Sequence, residues 1–195
     1  MGTSIQYDLG YIQAAIEELQ PYLLSDELYW SLSGHASPGD KAYPKLTLGG
    51  LLLALARSRA RADSPKITGK ADRLENRLET IRSQWQVAWD EKASWEFRSR
   101  LRQWGNYLNE VQRDPQEHAV YYPYEVSARV ILELLKQQTE KLADSDVETL
   151  IKLDQRLRAQ FITGSFMWDD DLSGGFPKDE FWFLWGRLTL PNNYY

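Results

Sequence analysis

The chain has 195 residues, 43% of them apolar and 26% charged, with a formal net charge of −5. This is the balance of a globular domain, long enough to bury a real core without covalent staples. There is no cysteine and there are two histidines, which excludes disulfides, thiolate metal sites and cysteine nucleophiles and disfavours histidine-based chemistry. Net negative charge argues against a general nucleic-acid coat but leaves room for a local basic patch. The longest apolar run, from Leu51 to Ala56, falls far short of the roughly 18 residues of a membrane span. Met1 to Leu9 has neither a basic nor an apolar stretch of the secretory kind, so a cytoplasmic location is expected.

In chain order, the periodicity is helical nearly throughout. Tyr11, Ile12, Ala15, Ile16, Leu19 and Leu23 recur at three and four and place a first helix over residues 7–24, with Pro21 set to kink or end it. A short helix is expected after Ser25, carrying Leu28, Tyr29 and Leu32. Residues 33–46, with Gly34, Pro38, Gly39, Asp40 and Pro44, read as a loop. Thr47 suits the cap of a helix over 48–62. Its Gly49-Gly50 opening implies close packing of another element. A phosphate cradle would need a lysine in Walker spacing, and none follows.

Pro65 suits the first turn of the longest periodic segment, residues 66–113. Its stripe of Leu74, Leu78, Ile81, Trp85, Trp89, Ala93, Phe97, Leu101, Trp104, Leu108 and Val111 advances about 3.7 residues per step, too long for the 3.5 of a left-handed coiled coil. One straight helix would span about 65 Å, more than a compact domain of this size offers. Either the helix breaks, near Asp90 to Ser94, or the molecule is elongated. Trp95 falls off the stripe and should be more exposed. Asp114-Pro115 ends the segment, and the aromatic connector Tyr121, Tyr122, Pro123, Tyr124 leads into a helix over 124–142. Ser145 and Glu148 have capping-box spacing for a helix through Leu150, Leu153, Leu157 and Phe161, stopped by Gly164. The expected fold is all-α, an irregular bundle of about six or seven helices with one long central helix. It forms one domain over 1–195, with a small C-terminal appendage over 164–195.

Three features carry chemistry. Between Arg57 and Arg82 lie eight basic residues against Asp63, Asp72, Glu75 and Glu79, a local net of +4. Lys66, Lys70, Arg73 and Arg77 share one helical face. That stripe would suit phosphates, although the interleaved acids also suit a solvated face with internal pairs. Second, counting Asp169 as the first position places Asp171 third, Ser173 fifth, Gly174 sixth and Glu180 twelfth. Over about twenty residues this resembles an EF-hand calcium loop, which implies calcium held by Asp169, Asp171, Ser173 and Glu180. It departs from that pattern at Leu172, Gly175 and Pro177, and it has no second loop to pair with. The same residues also read as an acidic turn before a helix that Pro177 opens. Third, the chain holds 8 Trp, 11 Tyr and 6 Phe, enough to stock a core and to leave a partner surface. An exiting helix is expected to dock Phe181, Leu184, Trp185 and Leu188 and to leave Trp182 and Phe183 at the rim as protein-binding residues. His35 and His118 stand in loops, and no convergent acid–base set is visible. The functional expectation is a non-enzymatic interaction or adaptor protein that binds another protein through an aromatic surface. The alternative is a nucleic-acid-associated protein that uses the basic stripe from Arg57 to Arg82, with Lys66, Lys70, Arg73 and Arg77 as its candidate anion-binding residues.

Overall fold

A computed structural model describes residues 3–189. The Ser4 hydroxyl accepts the Tyr7 amide and opens α1 (Ile5–Glu17). Its Leu9, Tyr11, Ile12, Ala15 and Ile16 are buried. The helix yields at Glu18 and restarts as α2 (Leu19–Leu23). Pro21 is the cause: its ring crowds the carbonyl four residues back, at Glu17, and it has no N–H to give.

No helix forms after Ser25. Trp30 and Leu46 instead exchange both backbone hydrogen bonds, at 3.1 and 2.8 Å. Lys92 donates to the carbonyls of Ser25 and Glu27 at 2.6 and 2.9 Å, taking acceptors that a helix would have used internally. Glu18 braces the same loop, accepting from the Trp30 indole at 2.8 Å and from the Ser33 amide and hydroxyl at 2.7 Å each.

Thr47 accepts the Gly50 amide and starts α3 (Leu48–Ala60). Gly49 is the close-packing position: a Cβ there would collide with Ile131 and lie 2.8 Å from the Glu96 carboxylate. Glu96, fully buried, accepts the Gly49 amide at 2.8 Å. A carboxylate thus sits on the positive end of α3, and Arg100 pairs with it at 3.1 Å.

Pro65 opens α4 (Pro65–Gln84), and α5 (Gln86–Arg113) follows after one residue, Trp85, at φ −120° and ψ 34°. The break therefore falls at Trp85 and not near Asp90 to Ser94, which lie in continuous helix. The packing partners explain the position. α4 packs chiefly on α1 and α5 chiefly on α7 and α8, while α3 touches both, so the chain turns where its main partner changes. The resulting helices are about 30 and 42 Å long. Most of the stripe is buried: Leu74, Leu78, Trp89, Ala93, Phe97, Leu101, Trp104, Leu108 and Val111 are core residues, Ile81 and Trp85 beside the break are only partly buried, and Trp95 is 37% exposed.

Asp114 accepts the Glu117 amide and caps the short α6 (Pro115–His118). Next come α7 (Tyr122–Gln138), with Pro123 in its first turn, and α8 (Asp144–Arg158). Ser145 does not cap α8. Ala143 holds that position without a side-chain bond, and Asp144 and Asp146 occupy the first turn, where the helix dipole favours acids. α8 ends at Arg158, short of Phe161. The chain instead forms β1 (Phe161–Phe166), antiparallel to β2 (Trp185–Leu188), with Phe161 opposite Leu188 and a register shift between Thr163 and Phe166. Gly186, at φ +154°, brings its Cα so close to β1 that a Cβ would strike the Ile162 carbonyl.

The expected exiting helix is likewise replaced, by a 3₁₀ turn over Trp182–Leu184 that leads into β2. A helix would have hidden one face. This irregular path buries Phe181, Phe183, Leu184 and Leu188 together. Rings of Trp168, Phe176, Phe181 and Phe183 meet successively edge to face, with centroids 5.1 to 6.0 Å apart, a preferred geometry for aromatic pairs. The buried cluster runs without interruption from α1 to this segment. Among the described residues, no helix is long and apolar enough to cross a membrane.

Candidate functional site

Asp8, in the first turn of α1, is fully buried, and an isolated buried carboxylate costs several kcal/mol. α3 supplies its partners at consecutive turns. Arg57 donates from Nη2 and Nε at 2.6 and 3.1 Å. Arg61 approaches at 3.6 Å. Arg61 also reaches the Thr3 carbonyl at 2.9 Å, Asp171 at 2.7 Å and Asp169 at 3.4 Å. Two of the aspartates expected to hold calcium therefore converge on a guanidinium.

The remaining expected ligands are elsewhere. Ser173 donates its hydroxyl to the Asp170 carbonyl at 2.7 Å inside a 3₁₀ turn, Asp170–Gly175. Glu180 accepts from Gln137 on α7 at 3.2 Å. Gly174 has no positive φ, so the sharp sixth-position turn of a calcium loop is not made. Among the described residues no group of three or more histidine or acidic side chains is placed to hold a metal ion. The spacing that resembled a calcium loop is thus folded into a compact turn tied to α3.

The aromatic expectation is relocated. Phe183 is fully buried, lying under the Arg129 guanidinium at 4.3 Å. It is not at the rim. Trp182 is half-buried, with Arg158 over its ring at 3.7 Å and Phe161 against it. Among the described residues, the most exposed aromatic side chains are Tyr121, just before α7, and Tyr124, in its first turn. Val120, Tyr121 and Tyr124 are 65%, 53% and 60% exposed, while Tyr122 between them is buried and donates its hydroxyl to the Phe183 carbonyl at 2.8 Å. Burial holds the Tyr122 hydroxyl well above its ordinary pKa of 10.0, so it remains a donor. The Tyr-Tyr-Pro-Tyr run was itself the signal, since one helix face cannot hide every ring of it.

Two cavities open beside these residues. One, of about 300 Å³, is walled by Leu53, Arg57, Tyr124, Ser127, Trp168 and Asp169. The other, of about 320 Å³, is walled by Val120, Tyr122, Arg187 and Leu188. Pro123 and Met167 border both. Trp168 fixes this ridge by donating its indole N–H to the Pro123 carbonyl at 2.9 Å. The pair of pockets with a shared apolar ridge is rimmed by one carboxylate and two arginines, one of which, Arg57, is held by Asp8.

Lys66, Lys70, Arg73 and Arg77 are all exposed along α4. The acids interleaved with them turn elsewhere: Asp72 and Glu75 both pair with Arg59, and Glu79 pairs with Arg82 at 3.4 Å. Arg77 meets only the neutral Gln13, at 3.3 Å. His35 is exposed in its loop, and His118 offers its backbone carbonyl to Tyr107 at 3.2 Å. No protein-family model, no curated protein and no solved structure matches the chain.

Proposed function

We propose that the protein is a non-enzymatic helical interaction module that binds another protein across the ridge formed by Pro123 and Met167. The observation that carries this reading is the exposure of Val120, Tyr121 and Tyr124 beside two cavities that share that ridge. Tyrosine and methionine are enriched where proteins meet, and pockets that accept apolar anchors concentrate binding energy. Arg57, Asp169 and Arg187 supply the polar rim that would fix orientation. A photo-crosslinking residue placed at Val120 or Tyr124 in the native host should capture one discrete protein. The double change Val120→Ser, Tyr124→Ser should weaken that complex by about tenfold or more, an effect of hot-spot size, while the melting temperature stays put. Capture that is equally strong from a crosslinker at Ile151, exposed on α8 and outside both cavities, would overturn the reading.

A second reading is supported by the bookkeeping of charge on α4. With Asp72, Glu75 and Glu79 drawn to Arg59 and Arg82, the face carrying Lys66, Lys70, Arg73 and Arg77 is left without a carboxylate partner. A face of this kind would contact nucleic-acid phosphates. Such binding to random duplex DNA should fall with salt on a log–log slope of about −3.6 for four contacts. A flat salt dependence would remove it.

A further inference from the structure

α5 and α8 run side by side and leave between them a groove of about 360 Å³. Its floor is apolar: Leu101 and Leu153 are 6% and 7% exposed. Gly105 lies beside Leu153 in this floor, where a Cβ would make ordinary contact at 3.7 Å. Three arginines stand around the floor. Arg98 and Arg102 are one turn apart on α5, and Arg156 lines the groove from α8.

None of these arginines has a carboxylate partner among the described residues. Arg57, Arg59, Arg61, Arg82, Arg100 and Arg129 each meet at least one carboxylate. Arg156 instead donates to the neutral amide oxygens of Asn109 and Gln112, at 2.9 and 3.0 Å. These bonds orient the guanidinium and cancel none of its charge. Among the described residues, neither Arg98 nor Arg102 has an ion pair or hydrogen bond to its side chain. Asp146 is the sole acid lining the groove, which leaves the lining with a net charge of +2.

We propose that this groove binds a phosphate ester, with the phosphate held among Arg98, Arg102 and Arg156 and the apolar body of the ligand lying on Leu101 and Leu153. A phosphate monoester carries a charge of about −1.5 to −2 at neutral pH, which matches the lining. Its three terminal oxygens suit several guanidinium forks at once, whereas a lone carboxylate would satisfy one. The apolar floor selects an ester over the free inorganic ion. The site is independent of the ridge at Pro123 and of α4, so it stands or falls separately from both readings above.

The test is titration of the full chain, followed by calorimetry and by NMR amide shifts, with phenyl phosphate, inorganic phosphate and a phosphotyrosine peptide. Phenyl phosphate should saturate a single site more tightly than inorganic phosphate and shift amides of α5 and α8. The surface double variant Arg98→Gln, Arg102→Gln should weaken it by about tenfold or more, on the scale of charge-assisted hydrogen bonds, with an unchanged melt. Lys66→Gln, Lys70→Gln should leave it unaltered. A peptide that binds well above phenyl phosphate would assign the site to protein-borne phosphate. Equal affinity would assign it to a free ester. Absence of saturation up to about 20 mM, weaker than ordinary millimolar association, would overturn the proposal. So would unchanged affinity in the Arg98/Arg102 variant, or loss of binding in the Lys66/Lys70 variant.

Discussion

α5 and the C-terminal segment, residues 161–189, both bury large aromatic side chains, and they do it by different rules. α5 keeps a strict stripe: Trp89, Phe97 and Trp104 are at 0% exposure, and Trp95, off the stripe, is at 37%. A helix has one inward face, so its burial follows from periodicity. In the C-terminal segment Phe181, Phe183 and Leu184 are all buried within four consecutive residues. No helical face could achieve that. A 3₁₀ turn between non-helical residues rotates successive rings inward, and the rings are completed by edge-to-face neighbours or by Arg129. The first region would remain a recognisable helix with altered neighbours. The second has its shape only because of them.

The comparison can be broken most severely by removing one side of it. Deleting residues 176–195 strips Phe176, Phe181, Phe183, Leu184 and Leu188 from the core. At roughly 1.5–3 kcal/mol for each buried side chain, the loss rivals the 5–15 kcal/mol stability of a typical domain. The expected outcome is loss of the cooperative melt, and an unchanged melt would show that the segment contributes nothing to the core. Next in size, Phe183→Ala should cost about 3–5 kcal/mol and Leu101→Ala about 2–5 kcal/mol in urea unfolding. A value near 0.5 kcal/mol for either would place that residue at the surface.

Smaller effects sharpen the contrast. Gly49→Ala drives a methyl into Ile131 and the Glu96 carboxylate, and overpacking of this kind costs about 1–3 kcal/mol. Glu18 ties the α1–α2 joint to the loop, and hydrogen bonds from the Trp30 indole and from Ser33 hold its carboxyl below the ordinary value of 4.5. Its contribution is therefore fully present above pH 4.5 and lost as pH falls through the lower folded-state value. Glu18→Gln should cost about 1 kcal/mol at pH 7, and the gap from the unaltered chain should close as the pH is taken toward 3. A gap that widens on acidification would reverse the sign and remove the account. Smallest of all, Val87→Ser at a 61% exposed site should change stability by less than about 0.5 kcal/mol.

Legibility in the sequence divides along the same line. Thr47, Pro65 and Asp114-Pro115 marked real helix boundaries because caps and prolines act locally. The stripe from Leu74 to Val111 identified the buried face for the same reason. The break at Trp85 was hidden, since the stripe continues through it and only the change of packing partners decides where the chain turns. Ser25 lost its helix to Lys92, 67 residues away. The calcium-like spacing could not show that Arg61, 110 residues before Asp171, pairs with two of its acids, because that contact is made only by the fold. The exposed ridge was half visible, in Tyr121-Tyr122-Pro123-Tyr124, while Met167 and Trp168 join it only through the fold. The α5–α8 groove was not visible at all, because Arg98, Arg102 and Arg156 are unremarkable until two helices bring them together and the acids go elsewhere.

The ionic knot at Arg61 also imposes a timetable. Asp8 and Arg57 are 49 residues apart and can meet early during synthesis, as can the rest of α1 and α3. Asp171 follows Arg61 by 110 residues, which at ribosomal rates of about 5–20 residues per second is a delay on the order of 5 to 20 seconds. Phe183, whose carbonyl receives the Tyr122 hydroxyl, emerges later still. Throughout that interval the flank of α3 that the turn over Asp170–Gly175 covers stays open, and a chaperone bound there would have to leave before that turn docks.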